Sequence, residues 1–214
     1  MHVRRPLLAV TGLALTALPD KVPYPFTDPV IAEQWPGDYL WMFPAMVLMV
    51  LFVALVAVLH QHGQPGGEVW SLVAVCLATI AAAVLLVDYY LQATVVPLSL
   101  EKDQLEGWAM LTQYNPGGVF IALEELGYLL MSLALLCTVP SLSRRVRAGR
   151  VLRRLFVASS SVVMVGLVVV SATLGRDRGD VFEILVISVV WLTLIVASPL
   201  IVALLRRDAP ARSA

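Results

Sequence analysis

The chain has 214 residues, of which 59% are hydrophobic and only 14% are charged. A soluble domain carries about 25% charged residues, so this composition excludes an ordinary soluble domain and indicates a surface that faces lipid. The 15 basic and 15 acidic side chains cancel to a formal net charge of zero, but they are distributed unevenly along the chain.

Apolar runs in chain order predict an all-α, polytopic transmembrane bundle of six helices, one short and five long. The first run is short, and Arg4 and Arg5 before it are also typical of a signal peptide. We expect a retained helix, because Pro19, Asp20 and Lys21 follow it in place of a small-residue cleavage site. The other five runs each reach the ~20 residues that cross ~30 Å of hydrocarbon. In this single transmembrane domain, 1–214, the predicted helices cover residues 6–18, 39–60, 69–97, 118–139, 155–174 and 181–205.

The basic residues predict the orientation of the bundle, because cytoplasmic loops carry an excess of Lys and Arg. Segment 141–154 contains six arginines and no acid, and the C-terminal tail from Arg206 onward adds three more. Both are expected in the cytoplasm, where the arginine cluster would also contact anionic lipid. Working backwards along the helices places the N-terminus in the cytoplasm and the loops 19–38 and 98–117 outside.

The two predicted external loops are rich in turn-forming and aromatic residues. Loop 19–38 contains five prolines, which lack the N–H group that a regular helix needs. Asp38 ends this loop, and Trp41 beyond it belongs to an aromatic belt typical of the membrane–water interface. The second external loop ends in a turn signal followed by a helix start. The turn signal consists of Gln113, Tyr114 and Asn115, followed by Pro116 and two glycines.

Three carboxylates, Asp88, Glu124 and Glu125, lie inside predicted membrane helices. A carboxylate in hydrocarbon costs several kcal/mol unless it is protonated, paired or hydrated, so such residues usually mark a functional site. Asp88 lies nine residues before Pro97, and the glutamates lie six and seven residues after Gly118. At 1.5 Å per residue these positions are roughly 9 to 14 Å from the outer boundary. Because consecutive helices are commonly neighbours, we expect the three acids to converge in an outward-facing pocket as its catalytic groups.

Polar and aromatic side chains are expected to line this pocket. The predicted substrate-binding residues are Tyr89, Tyr90, Gln92, Gln113, Tyr114, Asn115, Tyr128, Glu183, Asp38 and Trp41. Gln92 shares a helix face with Asp88, four residues away. No Lys, Arg or His lies at that depth, so burial and mutual repulsion favour the uncharged form of the three carboxyl groups. We expect at least one acid to be protonated at neutral pH. The structural alternative is that Asp88 and one glutamate hold the bundle together and that the tyrosines are interfacial aromatics.

Cysteine, histidine and motif patterns predict no cofactor and no metal. Cys76 and Cys137 lie in apolar runs without CxxC spacing, so two free, buried thiols are expected. His60 and His62 on a short internal loop are weak evidence for a metal site, and surface histidines are the simpler interpretation. The sequence contains no GxGxxG, GxxxxGK[ST], GxSxG or HExxH motif. No nucleic-acid partner is therefore expected.

Three stretches of the chain resemble a known group of proteins. They are TALPDKVPYPFTD, PGDYLWMFPA and LTQYNPGGVFIALEELGYLLMSL. These stretches are similar to those of small multi-pass bacterial inner-membrane proteins of unassigned function. The resemblance covers about the first two thirds of the chain. It implies a multi-pass protein of the bacterial inner membrane and implies no activity.

Three functions fit these features. The first is a membrane-embedded enzyme that cyclises or isomerises an isoprenoid-like or other lipophilic substrate. Of Asp88 and Glu125, one would donate a proton and the other would take one back, while Tyr rings stabilise positive charge. The second is a proton- or cation-coupled transporter, although the inner halves of the helices offer few polar residues for a through-route. The third is a non-catalytic membrane subunit or lipid-binding scaffold with structural acids. The expected partners are membrane lipid and a lipophilic molecule, a proton or a cation.

Overall fold

The computed structural model describes residues 39–102, 104, 106–113, 115, 117–175 and 181–208, and within them the chain is all-helical, without strands. Among the described residues, five helices are long and apolar enough to cross a membrane, the architecture of a multi-pass membrane protein. The predicted helix 6–18 and loop 19–38 lie outside the described residues. In chain order the helices are α1 (Met42–Gln61), α2 (Glu68–Glu101), the short α3 (Trp108–Leu111), α4 (Val119–Thr138), a 3-10 turn (Val139–Ser141), α5 (Arg147–Leu174) and α6 (Val181–Asp208).

Two helix ends differ from the sequence prediction by a full helical turn or more. α2 continues through Pro97 to Glu101, and Lys102 N–H still donates to the Leu98 carbonyl at 3.1 Å. A proline removes its own backbone donor, and its ring crowds the turn that precedes it, so the turn after it can remain helical. α5 begins at Arg147, two turns earlier than predicted. Four of the six arginines in segment 141–154 therefore lie in the first turns of α5, because arginine is a good helix former.

Burial along the helices repeats every three or four residues, as expected for helices with one packed face. In α1 the buried side chains are Met42, Ala45, Met49, Phe52, Val56 and Leu59. In α6 they include Phe182, Val186, Val190, Ala197 and Ile201. The other faces expose large apolar side chains such as Val47 and Leu192. Such a surface is stable in lipid and unstable in water.

The described chain divides into two compact units. One consists of the residues up to Leu51 together with Ala83–Glu124, and the other of Phe52–Ala82 together with Glu125–Ala214. α1, α2 and α4 each contribute residues to both. Asp88 and Glu124 belong to the first unit, whereas Glu125 belongs to the second.

Close helix packing holds the second unit together. A Cβ atom added to Gly166 on α5 would lie 3.0 Å from the methyl groups of Leu185 on α6, so a small residue brings these helices together. α5 is joined to α4 by a buried hydrogen bond, in which Ser160 Oγ donates to the Ser132 carbonyl at 3.0 Å. This bond gives the serine hydroxyl a hydrogen-bond partner inside the membrane, where lipid chains offer none.

Polar contacts fix the connection between α4 and α5. The Arg153 guanidinium donates to the carbonyl oxygens of Val139 and Leu142, and a cation is favourable next to carbonyls at the end of a helix. Gly149 lies against the backbone of Ser143, whose carbonyl oxygen occupies the space that a Cβ atom would need. The backbone of this turn therefore packs directly against the first turns of α5.

Both cysteines are free, as expected. Cys137 is half-buried, whereas Cys76 is exposed, so the prediction of two buried thiols is wrong for Cys76. An apolar run does not reveal which face of its helix is packed, and Cys76 lies on an unpacked face of α2. A thiol behaves as a small apolar group, which suits contact with lipid.

Candidate functional site

One face of α2 carries Asp88, Tyr89 and Gln92 into the interior of the first unit. These side chains are 3%, 0% and 3% exposed, respectively. Asp88 and Gln92 share this face, as their four-residue spacing predicts. Tyr90 is 60% exposed, because successive helical residues point about 100° apart. Only one of the two adjacent tyrosines therefore belongs to the buried cluster.

Glu124 on α4 forms a hydrogen-bonded pair with Tyr89. The Glu124 side chain is 3% exposed, and the Tyr89 hydroxyl donates to Glu124 Oε1 over 2.5 Å. Asp88 precedes Tyr89 on α2 and is buried in the same unit as Glu124. The Tyr89–Glu124 hydrogen bond confirms that the two helices meet at the level of the acids, and the convergence of the acids as catalytic groups stays a prediction.

Aromatic rings contact Tyr89 on two sides. Trp41 meets it edge-on, with ring centroids 5.3 Å apart and planes at 72°. Phe120 meets it in a tilted arrangement at 6.1 Å. Phe120 precedes Glu124 by one helical turn, so the two share a face of α4. The phenol that donates to Glu124 is thus held among rings whose faces can stabilise a positive charge.

Gln92 links this cluster to the connection between α2 and α4. Its side-chain nitrogen donates to the carbonyl oxygen of Leu111 at the end of α3. The predicted turn before α4 is confirmed: Gly118 N–H donates to the Asn115 carbonyl at 2.8 Å, and Gly117 N–H donates to the Asn115 side chain at 3.0 Å. A Cβ atom at Gly118 would lie 2.9 Å from the Asn115 carbonyl oxygen, so this turn requires glycine.

Two buried oxygen atoms of the cluster, Asp88 Oδ2 and Gln92 Oε1, have no hydrogen-bond partner among the described residues. Buried polar atoms in folded proteins are nearly always hydrogen-bonded. The orientation of the Gln92 amide is fixed by its bond to Leu111, because a carbonyl oxygen can accept only from the NH₂ group. Gln92 Oε1 is therefore a hydrogen-bond acceptor that the local backbone does not use.

The second unit contains three of the predicted site residues. Glu125 is 7% exposed, Tyr128 is 2% exposed and Glu183 is 9% exposed. The Tyr128 ring lies 6.3 Å from that of Trp191 on α6. Glu124 and Glu125 are consecutive on α4, and consecutive residues do not face one another on a helix. Their catalytic and binding roles stay predictions.

Two of the remaining predicted site residues, Gln113 and Asn115, lie near the turn before α4. Gln113 and Asn115 are half-buried members of the first unit. Tyr114 and Asp38 lie outside the described residues. The connection thus brings at least one polar backbone group, the Leu111 carbonyl, to the cluster.

A hollow of about 290 Å³ opens on a different face of α2. It is lined by Met46, Leu86, Val87, Tyr90 and Leu91. These α2 residues lie opposite the buried face that carries Asp88, as their positions along the helix require. This hollow is apolar and suits contact with lipid chains.

His60 and His62 have hydrogen-bond partners within the protein. His60 Nδ1 lies 2.7 Å from Ser71 Oγ, and His62 Nδ1 lies 3.0 Å from the Val58 carbonyl oxygen, to which it can donate. Among the described residues, no group of three or more His, Cys, Asp and Glu side chains is arranged to hold a metal ion. The polar groups of the carboxyl cluster are instead two carboxyls, a phenol and an amide.

Two contributors to the cluster, Phe120 and the Leu111 carbonyl, are not among the predicted site residues. The one-turn spacing of Phe120 and Glu124 is the sequence signal that identifies the first. The backbone carbonyl has no such signal.

In comparisons with protein-family models, curated proteins and solved structures, nothing matches this chain.

Proposed function

We propose that this chain is a bacterial inner-membrane protein of six spans, with both termini in the cytoplasm, whose buried carboxyl pair performs acid–base chemistry on a lipophilic substrate. Five apolar helices support the membrane assignment. The arginine-rich start of α5 and the arginines from Arg206 onward support the orientation, because both would lie on the cytoplasmic side.

The observation that carries the proposed chemistry is the Tyr89–Glu124 hydrogen bond beside Asp88. A phenol that donates to a carboxyl oxygen favours the charged form of that carboxyl. Two adjacent carboxyls in apolar surroundings do not both ionise, and such pairs share one proton. We therefore assign the charge to Glu124 and the proton to Asp88. The different surroundings of the two carboxyl groups therefore make Glu124 the proton acceptor and Asp88 the proton donor.

The reaction class follows from this division of roles. Asp88 gives its proton to one carbon of a substrate double bond, so an O–H bond breaks and a C–H bond forms. The neighbouring carbon becomes cationic, and the rings of Trp41 and Phe120 stabilise it. Glu124 then removes a proton from an adjacent carbon, which forms a new double bond. A proton passed from Glu124 to Asp88 restores the pair. The net change is an isomerisation, or a cyclisation when a second double bond attacks the cation, and it needs no oxidant.

Deuterium incorporation tests this chemistry on a mixture of candidate substrates. The purified full chain in lipid nanodiscs would be incubated in D₂O with bacterial isoprenoid extracts and analysed by mass spectrometry. We expect a product that carries deuterium on carbon and is absent with Asp88→Asn or Glu124→Gln. Glu101→Gln, an exposed acid at the end of α2, is the matched control and should retain the product. Equal deuterium incorporation in the Asp88→Asn protein would contradict the proposal.

A second candidate is a proton- or cation-coupled transporter, favoured by the acceptor oxygens Asp88 Oδ2 and Gln92 Oε1. Oxygen atoms without a protein donor suit a transported cation or proton. The test is proton release into proteoliposomes under an imposed gradient of Na⁺, K⁺ or an organic cation. Transport predicts a pH change that Asp88→Asn abolishes. Absence of any pH change with all three cations would contradict this candidate.

The proposed orientation is tested by labelling single cysteines in whole cells. In a background without native cysteines, Gln104→Cys lies between α2 and α4, and Arg145→Cys lies between α4 and α5; both native side chains are exposed. We expect an impermeant maleimide to label position 104 in intact cells and position 145 only after lysis. The reverse pattern would contradict the orientation.

A further inference from the structure

Two buried oxygen atoms on one face of α2 indicate which kind of chemical group this site would bind. Asp88 and Gln92 are each 3% exposed, and their Oδ2 and Oε1 atoms have no hydrogen-bond partner among the described residues. Such atoms are rare in folded proteins because each loses its bonds to water without replacement. Two of them on one helix face indicate a site built for a polar ligand group.

The two atoms are not chemically equivalent. The amide of Gln92 donates to Leu111, so its oxygen can only accept a hydrogen bond. If Asp88 carries the proton of the carboxyl pair, its free oxygen presents an O–H group and donates. This step rests on the proposed function. The site therefore offers one donor and one acceptor, and it fits a ligand group that accepts from Asp88 and donates to Gln92.

We propose that Asp88 and Gln92 bind a hydroxyl group, supplied either by an isoprenoid-like alcohol or by a water molecule. Side chains four residues apart on a helix have Cβ atoms about 5–6 Å apart. A single ligand oxygen can therefore make hydrogen bonds of about 2.8 Å with both neighbouring side chains. A hydroxyl satisfies both protein atoms, whereas an ether or ketone only accepts, an ammonium group only donates and a hydrocarbon does neither.

Infrared difference spectroscopy with three matched probes tests this inference. The full chain would be reconstituted in nanodiscs of ether-linked lipid, which has no ester carbonyl to obscure the carboxyl band of protonated Asp88. Farnesol, its methyl ether and the hydrocarbon farnesene would be titrated at equal mole fractions in the bilayer. The mole fraction that half-shifts the Asp88 band reports the affinity of each probe.

For a lipid alcohol we expect farnesol to bind about 5- to 150-fold more tightly than farnesene, the range that two neutral hydrogen bonds supply. The methyl ether should lie between them, since it keeps only the bond from Asp88. Gln92→Leu should reduce the affinity for farnesol to that for the ether. Gln104→Leu, the same change at an exposed residue, should leave it unchanged. The series of probes tests the wild-type protein, so the inference does not depend on the folding of a variant.

The remaining outcomes are distinct. Equal affinity for all probes, with a water O–H band that shifts in H₂¹⁸O and disappears in Gln92→Leu, identifies the hydroxyl as that of water. Equal affinity without such a band overturns the inference and leaves the proposed acid–base function standing if the Asp88 band is present. Absence of a protonated Asp88 band overturns the proposed function, and this inference with it.

Discussion

Replacing Tyr89 with phenylalanine tests the hydrogen bond on which the proposed chemistry depends. The change removes the hydroxyl that donates to Glu124 over 2.5 Å and retains the ring that contacts Trp41 and Phe120. Tyr90→Phe makes the same chemical change at the next residue, whose side chain is 60% exposed. Comparing the two variants therefore distinguishes the loss of this hydrogen bond from the loss of a tyrosine hydroxyl elsewhere on α2.

The size of the effect also reports the charge on Glu124. A hydrogen bond to a charged group contributes about 1.5–3 kcal/mol to stability, whereas side-chain hydrogen bonds inside a membrane protein average about 0.6 kcal/mol. Because we assign the charge to Glu124, we expect Tyr89→Phe to lower the free energy of unfolding by about 1.5–3 kcal/mol. Tyr90→Phe should change it by less than about 0.5 kcal/mol.

The measurement is reversible unfolding in mixed micelles with increasing sodium dodecyl sulfate, followed by circular dichroism. A double-mutant cycle with Glu124→Gln isolates the energy of the pair from other effects of each change. Equal losses in Tyr89→Phe and Tyr90→Phe would refute the hydrogen bond. A loss near 0.6 kcal/mol, the average for side-chain hydrogen bonds inside a membrane protein, would keep the bond but refute an ionised Glu124 and the roles assigned to the two acids.

Two further predictions concern the second unit. Ser160→Ala should lower the free energy of unfolding by about 0.6 kcal/mol and by at most about 1.7 kcal/mol, because it removes the bond between α5 and α4; an equal loss in Ser161→Ala, an exposed neighbour, would argue against that bond. Gly149→Ala should destabilise by about 1–3 kcal/mol, although alanine favours a helix by about 1 kcal/mol, because a Cβ atom would collide with the Ser143 carbonyl oxygen. Gly166→Ala meets only movable leucine methyl groups at 3.0 Å and should cost less, and an equal or greater loss there would contradict this account.

The five long helices were predictable because their apolar runs exceed the length that spans a bilayer. Their ends were less predictable. Proline at position 97 suggests a helix end, yet a proline so close to the last turn removes a single backbone bond and α2 continues to Glu101. The arginines before Leu155 suggest a cytoplasmic loop by charge, although their helix propensity is high and α5 begins at Arg147.

The candidate site was predictable to the level of helix faces. The spacing of Asp88 and Gln92 places them on one face, and similar depths on consecutive helices predicted the contact between α2 and α4 that the Tyr89–Glu124 hydrogen bond makes. Sequence spacing does not distinguish Tyr89 from Tyr90, because the packed face of α2 is determined by which helices lie against it. The contribution of the Leu111 carbonyl depends on the path of a connection that carries no periodic pattern.

The central claim is that Asp88 and Glu124 share one proton, held by Asp88. Infrared spectra of nanodisc-reconstituted protein, with aspartate or glutamate selectively ¹³C-labelled, assign each protonated carboxyl band to its residue type. We predict at neutral pH a protonated aspartate band that Asp88→Asn removes and that Glu124→Gln retains. A protonated band that belongs to glutamate and disappears in Glu124→Gln, with Asp88 ionised, would contradict the account.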